Sequence, residues 1–133
     1  VLARDIAFGG QQVTEAISRR YQCPLSEAEK VKQKPDQAAA VSQIIREISA
    51  DMTSEVNTGV RYFSGRTGLK PERFLLCGGS AKLPGLKESL EEKLEIPGTL
   101  WNPLEGVPGI SGETLNDGYC FAVALGLLTR KLP

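Results

Sequence analysis

The residues best placed for chemistry in this sequence are the glycine pair Gly78-Gly79. They follow the uncharged run Phe74-Leu75-Leu76-Cys77 and precede Ser80-Ala81-Lys82-Leu83-Pro84-Gly85. The apolar run predicts a short buried strand, and the glycines permit a turn that a β-carbon would obstruct. Backbone without side chains can approach a ligand closely, and open α/β sheets bind ligands at the carboxyl ends of their strands. Other chemistries lack their parts. The chain has no histidine, and its three cysteines, Cys23, Cys77 and Cys120, are an odd, widely spaced set. A zinc cluster, a disulfide framework and a histidine-based triad are all unsupported, so no catalytic residue and no metal ligand is assigned. Buried, reduced cysteines of a cytosolic protein are expected instead. Nothing matches a Gly-Lys-Ser/Thr phosphate loop or a Gly-x-Gly-x-x-Gly fingerprint.

The elements that must position the glycine turn follow from periodicity. After Pro84-Gly85, leucines at 86, 90 and 94 share one helical face. Upstream, residues 2–8 alternate imperfectly and predict a strand leaving through Gly9-Gly10. Residues 11–21 carry Val13, Ala16 and Ile17 on one side of a helix, which Cys23-Pro24 breaks. A second helix over 25–32 has Ser26 as its expected N-cap and Glu27 and Glu29 in its first turn. Val41, Ile45, Ile48, Met52, Val56 and Val60 then predict one long helix over 37–62, closed by Gly65, Gly68 and Pro71. Residues 99–101 predict a short strand and 104–112 an ordered loop. A final helix from Thr114 or Asn116 to Leu132 is apolar on most sides, as a buried helix is. Its small residues Ala122, Ala124 and Gly126 suit simple helix packing or close approach to a ligand.

At 133 residues the chain is one domain's worth and long enough to bury a core. Its 16 basic and 16 acidic residues cancel without a basic patch, which argues against nucleic acid binding. No apolar stretch approaches bilayer-spanning length and no signal peptide is visible, so a soluble protein is expected. The first residue is Val, and the opening strand looks entered partway, which suggests a fragment.

Taken together, these pieces resemble the second lobe of the actin-like ATPase superfamily. Residues 74–85 match its adenosine motif: an apolar strand, Gly-Gly, two small residues, then an apolar residue before Pro-Gly. Within the superfamily the chain is most similar to the PilM family of type IV pilus assembly proteins, with the FtsA cell-division family next. The likeness runs through Arg4-Asp5-Ile6, Gly9-Gly10, Val13-Thr14-Glu15-Ala16-Ile17, Ser26 to Lys32, Arg61-Tyr62-Phe63, Asn102-Pro103-Leu104 and Ala124 to Arg130. The fold so implied is α/β: a partial actin-like (ribonuclease H-like) lobe in which about residues 22–60 form a small helical inserted subdomain and the remainder of 1–133 the core.

The resemblance also implies a site. Gly78, Gly79, Ser80 and Leu83 would pack against the nucleoside of ATP. Glu29 and Lys32 match a Glu and a Lys three residues apart that reach the adenosine; alternatively they are a solvated helix face. A carboxylate there would accept from ribose hydroxyls. The two phosphate-binding hairpins of such ATPases would precede Val1, so this chain alone is expected to bind ATP weakly or not at all, and not to hydrolyse it. Magnesium would accompany ATP only in the intact protein. The implied role is a nucleotide-binding component of the pilus assembly platform, cytoplasmic and peripheral to the inner membrane. Its membrane partner's PilN-like tail would dock on the missing first lobe. An FtsA-like filament protein and a sugar-kinase-like phosphotransferase are the alternatives. An unpaired strand edge at residues 2–8 would also favour a homodimer.

Overall fold

A computed structural model of the chain describes residues 2–112 and 116–129. Helix α1 (Gly10–Tyr21) buries Val13, Ala16 and Ile17, the face expected from spacing, and carries Arg19 and Arg20 in its last turn, where the helix dipole favours cations. Helix α2 (Leu25–Gln33) packs back on α1. Its N-cap is Pro24 and not Ser26, no side chain caps it, and only Glu27 is acidic in the first turn. The fixed φ of Pro24 supplies the entry that a serine cap was expected to supply.

The long helix expected over 37–62 is two helices, α3 (Ala38–Ile48) and α4 (Ala50–Thr67), preceded by a 3-10 turn at Pro35–Gln37. Ser49 makes the bend, with ψ at −2° instead of a helical value. The hydrogen bonds continue through it: Ser49 N–H donates to Ile45 O at 2.8 Å and Thr53 N–H to Ser49 O at 2.8 Å. The apolar stripe therefore crosses the bend without a break in period. Gly68, at φ 71°, then ends α4 in the left-handed conformation that glycine permits.

Strands β1 (Phe74–Leu76) and β2 (Gly98–Leu100) pair in parallel, with Phe74 opposite Gly98, and helix α5 (Leu86–Leu94) is the crossover between them. Gly98 lies under the Phe74 ring, where a β-carbon would overlap the ring atoms. A 3-10 segment (Gly118–Phe121) leads into helix α6 (Ala122–Thr129). The core is helical: Val13, Ala16 and Ile17 of α1, Ala28 of α2, Val41, Ile44 and Ile45 of α3 and Leu86 of α5. Leu76 and Leu83 border it, so the glycine turn sits on its edge.

Four expectations are corrected. Residues 2–8 form no strand: no other strand among the described residues pairs with them, and Arg4 instead reaches α4, donating to Glu55 O at 3.4 Å. The edge through which two copies were expected to pair is thus not a formed strand. β1 is not a buried strand, because Leu75 is 54% exposed on its open face. Cys77 and Cys120 are exposed and Cys23 is half-buried, and all three are free thiols. Helix α6 has no buried residue, since nothing among the described residues covers it, and Leu128 is 82% exposed. The helix expected from Asn116 starts only at Ala122, after the 3-10 segment, and Thr114, Leu132 and the family-like Arg130 lie outside the described residues.

Candidate functional site

One helical turn separates Glu29 from Lys32 on α2, so both side chains leave the same face. That face turns toward α1. Lys32 Nζ donates to Glu29 Oε2 at 2.7 Å, to Thr14 Oγ1 at 2.9 Å and to the carbonyl of Gly10 at 3.2 Å. The three donors of the ammonium are thereby matched by three acceptors. Thr14 Oγ1 lies 2.6 Å from Glu29 Oε2, and Gln33 Nε2 donates to the other carboxylate oxygen, Oε1, at 3.1 Å. The Lys32 side chain is only 11% exposed, against 44% for Glu29. The hydrogen bond from Lys32, and next the one from Thr14, hold the Glu29 carboxyl below the usual carboxylate range. The pair is therefore no solvated helix face. It is a brace between α1 and α2 with one carboxylate edge toward solvent.

The glycine turn forms the opposite wall. Gly78 takes φ 102°, a conformation that excludes most side chains, and its N–H donates to Tyr119 O at 2.7 Å. Ala81 N–H closes the turn on Gly78 O at 3.0 Å, and Leu83 N–H donates to Ser80 O at 3.0 Å. The walls meet where a β-carbon on Gly10 would come within 3.2 Å of Ser80 Oγ and 3.5 Å of Lys32 Nζ. Gly10 thus lets the start of α1 fit between them.

Between the walls lies a cleft of about 500 Å³ lined by Glu29, Lys32, Gly79, Ser80 and Leu83. Five of the six residues singled out from the sequence line one cavity, although α2 and the turn are far apart in the chain. Gly78, the sixth, shapes the turn without lining the cleft. Lys82 and Asp117 close one side, with Lys82 Nζ 3.7 Å from Asp117 Oδ1 and 4.7 Å above the Tyr119 ring. Gly10, Thr14, Lys82 and Tyr119 were not singled out as site residues from the sequence. Gly10 read as a strand exit and Thr14 as one position of a helix, both within family-like segments but without a site role, and no local spacing reports a contact between helices. Another, more apolar cavity of about 590 Å³ lies beside β1 and α5, lined by Phe8, Met52, Leu75, Leu90 and Leu94 and sharing Ser80 with the cleft.

A family model described as Type IV pilus assembly protein PilM matches residues 1–132. The chain belongs to the PilM family. A solved structure of a PilM–PilN type IV pilus biogenesis complex is 35% identical and similar at a TM-score of 0.75 over 95% of this chain. This PilM-family chain spans 38% of the length of the chain it matches there. The family is one of type IV pilus assembly proteins. Among its described residues, no helix is long and apolar enough to cross a membrane, and no group of three or more His, Cys, Asp or Glu side chains is gathered for a metal ion.

Proposed function

We propose that this PilM-family chain forms the nucleoside-binding half of an adenine-nucleotide site, within an actin-like lobe of the type IV pilus assembly platform. The observation that carries this reading is the meeting of α2 and the glycine turn across one cleft, with Glu29 and Lys32 facing Gly79, Ser80 and Leu83. The donor set suits a nucleoside. Glu29 keeps an oxygen open to ribose hydroxyls, Gly79 offers a flat main-chain surface to an aromatic base, and Leu83 adds an apolar contact. ATP, with magnesium beside it in the longer protein, supplies the phosphates. No residue of this chain is assigned to them, so binding by the chain alone is weak and hydrolysis absent.

An NMR titration of the purified chain with millimolar adenosine and ATP tests this reading. Saturable shifts should concentrate on the amides of Gly79, Ser80 and Lys32, and Gly79→Val should abolish them while leaving the rest of the spectrum in place. Shifts confined to other surfaces would remove the cleft from the reading. ATP turnover above background, lost in Gly79→Val, would overturn the expected lack of hydrolysis.

The related complex contains PilN. In the longer protein a PilN-type tail is the proposed partner, holding it at the cytoplasmic face of the inner membrane. The proposed groove lies outside this chain, so a PilN-type cytoplasmic peptide should not bind the purified chain. Saturable binding would move the groove onto it.

A further inference from the structure

Thr14 is 7% exposed, at the centre of the contact between α1 and α2. Its hydroxyl has one proton and two acceptors in reach: Gly10 O at 2.9 Å and Glu29 Oε2 at 2.6 Å. The carboxylate is both nearer and charged, and charge-assisted hydrogen bonds are shorter and stronger than neutral ones. The proton therefore goes to Glu29. The Gly10 carbonyl keeps the Lys32 ammonium at 3.2 Å, and the Thr14 oxygen accepts from the same ammonium at 2.9 Å. Each polar atom of the group then has a partner, in keeping with the absence of any buried unpartnered side-chain N or O among the described residues.

This closed arrangement fixes which carboxylate oxygen is spent. Oε2 takes Thr14 and Lys32, while Oε1 takes only Gln33, at an exposed position, and keeps acceptor capacity. Without the Thr14 hydroxyl, Lys32 alone would hold Oε2, with only the exposed Gln33 amide on Oε1, and a flexible ammonium with an exposed amide defines the rotation of the carboxylate less closely.

We infer that Thr14 is a positioning residue of the cleft, whose hydroxyl orients the Glu29 carboxylate so that Oε1 is presented to a ligand carrying paired hydroxyls, and that it thereby sets selectivity for ribose over deoxyribose. The selectivity rests on the nucleoside reading above; the positioning does not.

Thr14→Val keeps the shape and removes the hydroxyl, and Thr14→Ser restores it. In the ligand-free chain, followed by carboxyl-carbon NMR, Thr14→Val should raise the titration midpoint of Glu29 and Thr14→Ser should return it toward that of the unaltered protein. With nucleosides, the preference for adenosine over 2′-deoxyadenosine and 3′-deoxyadenosine should fall by roughly three- to tenfold in Thr14→Val, the size expected for one typical hydrogen bond because the carboxylate stays and only its orientation is lost, and recover in Thr14→Ser. An unmoved Glu29 midpoint overturns the positioning role. A moved midpoint with an unchanged sugar preference overturns the selectivity. If no nucleoside binds, the nucleoside reading and the selectivity fall together, while the Glu29 midpoint still decides the positioning. Should Thr14→Val fail to fold, the unaltered protein gives the test: the Thr14 methyl resonance must titrate with the Glu29 midpoint, and independence of the two overturns the proposal.

Discussion

Two regions of this molecule carry apolar side chains that have different fates. Around α1, α2, α3 and α5 the apolar positions meet, and Val13, Ile17, Val41 and Ile45 are fully buried. Along β1 and α6 they do not, and Leu75, Val123, Leu127 and Leu128 all face outward. The first region has one stripe per helix, and each stripe finds another. In the second, α6 is apolar around its whole circumference, a pattern that calls for cover on every side. Apolar content thus states a demand for burial, and topology decides whether it is met. The candidate site lies at the border of the two regions, with α2 on the packed side and the glycine turn tied by Gly78 to the segment that leads into α6.

The largest test of this contrast is a pair of truncations. Ile45→Ala empties space in a closed core and should cost about 2–5 kcal/mol of unfolding free energy in urea. Leu128→Ala removes a similar side chain from an open surface and should stay within about 0.5 kcal/mol of the parent. Equal losses would show that α6 is buried in solution and would erase the contrast.

What could be read from the sequence follows the same division. Helix α5 and strands β1 and β2 lie where Leu86, Leu90 and Leu94, the run from Phe74 and the residues around Thr99 placed them. Each is declared by contacts along its own length. The strand expected at residues 2–8 failed because alternation reports two faces and says nothing of a partner to pair with. The bend at Ser49 was invisible because a stripe of period three to four runs through it. Burial of α6 was misjudged because the sequence shows the demand and not the supply. At the site, Glu29 and Lys32 were reached only through a family likeness. Thr14 and Gly10 were not assigned to it at all, since they join the group by the packing of α1 on α2.

The smallest effects come from the ion pairs at the two joints, and pH reads them. Glu29 joins α2 to α1 in the packed region. At the other joint Glu91 binds Lys87 at 2.7 Å and accepts the Gly98 N–H at 2.8 Å, tying α5 to β2. Both carboxyls lie below their ordinary range, through hydrogen bonds first from Lys32 at Glu29 and from Lys87 at Glu91. A depressed carboxyl adds stability above its unfolded pKa and loses it as pH falls through the folded value, so both joints weaken in acid. Lys87 is raised, first by its hydrogen bond to Glu91. Its contribution is complete below the unfolded lysine pKa and disappears as pH rises through the folded one. The α5–β2 joint therefore weakens at both extremes. Melting temperature against pH should show a shallower acid limb in both Glu29→Gln and Glu91→Gln, and a shallower alkaline limb in Glu91→Gln. Both changes should be far smaller than the loss in Ile45→Ala, and salt should reduce both, because solvent reaches a carboxylate in each pair. An unchanged alkaline limb in Glu91→Gln would mean that Glu91 is not what raises Lys87.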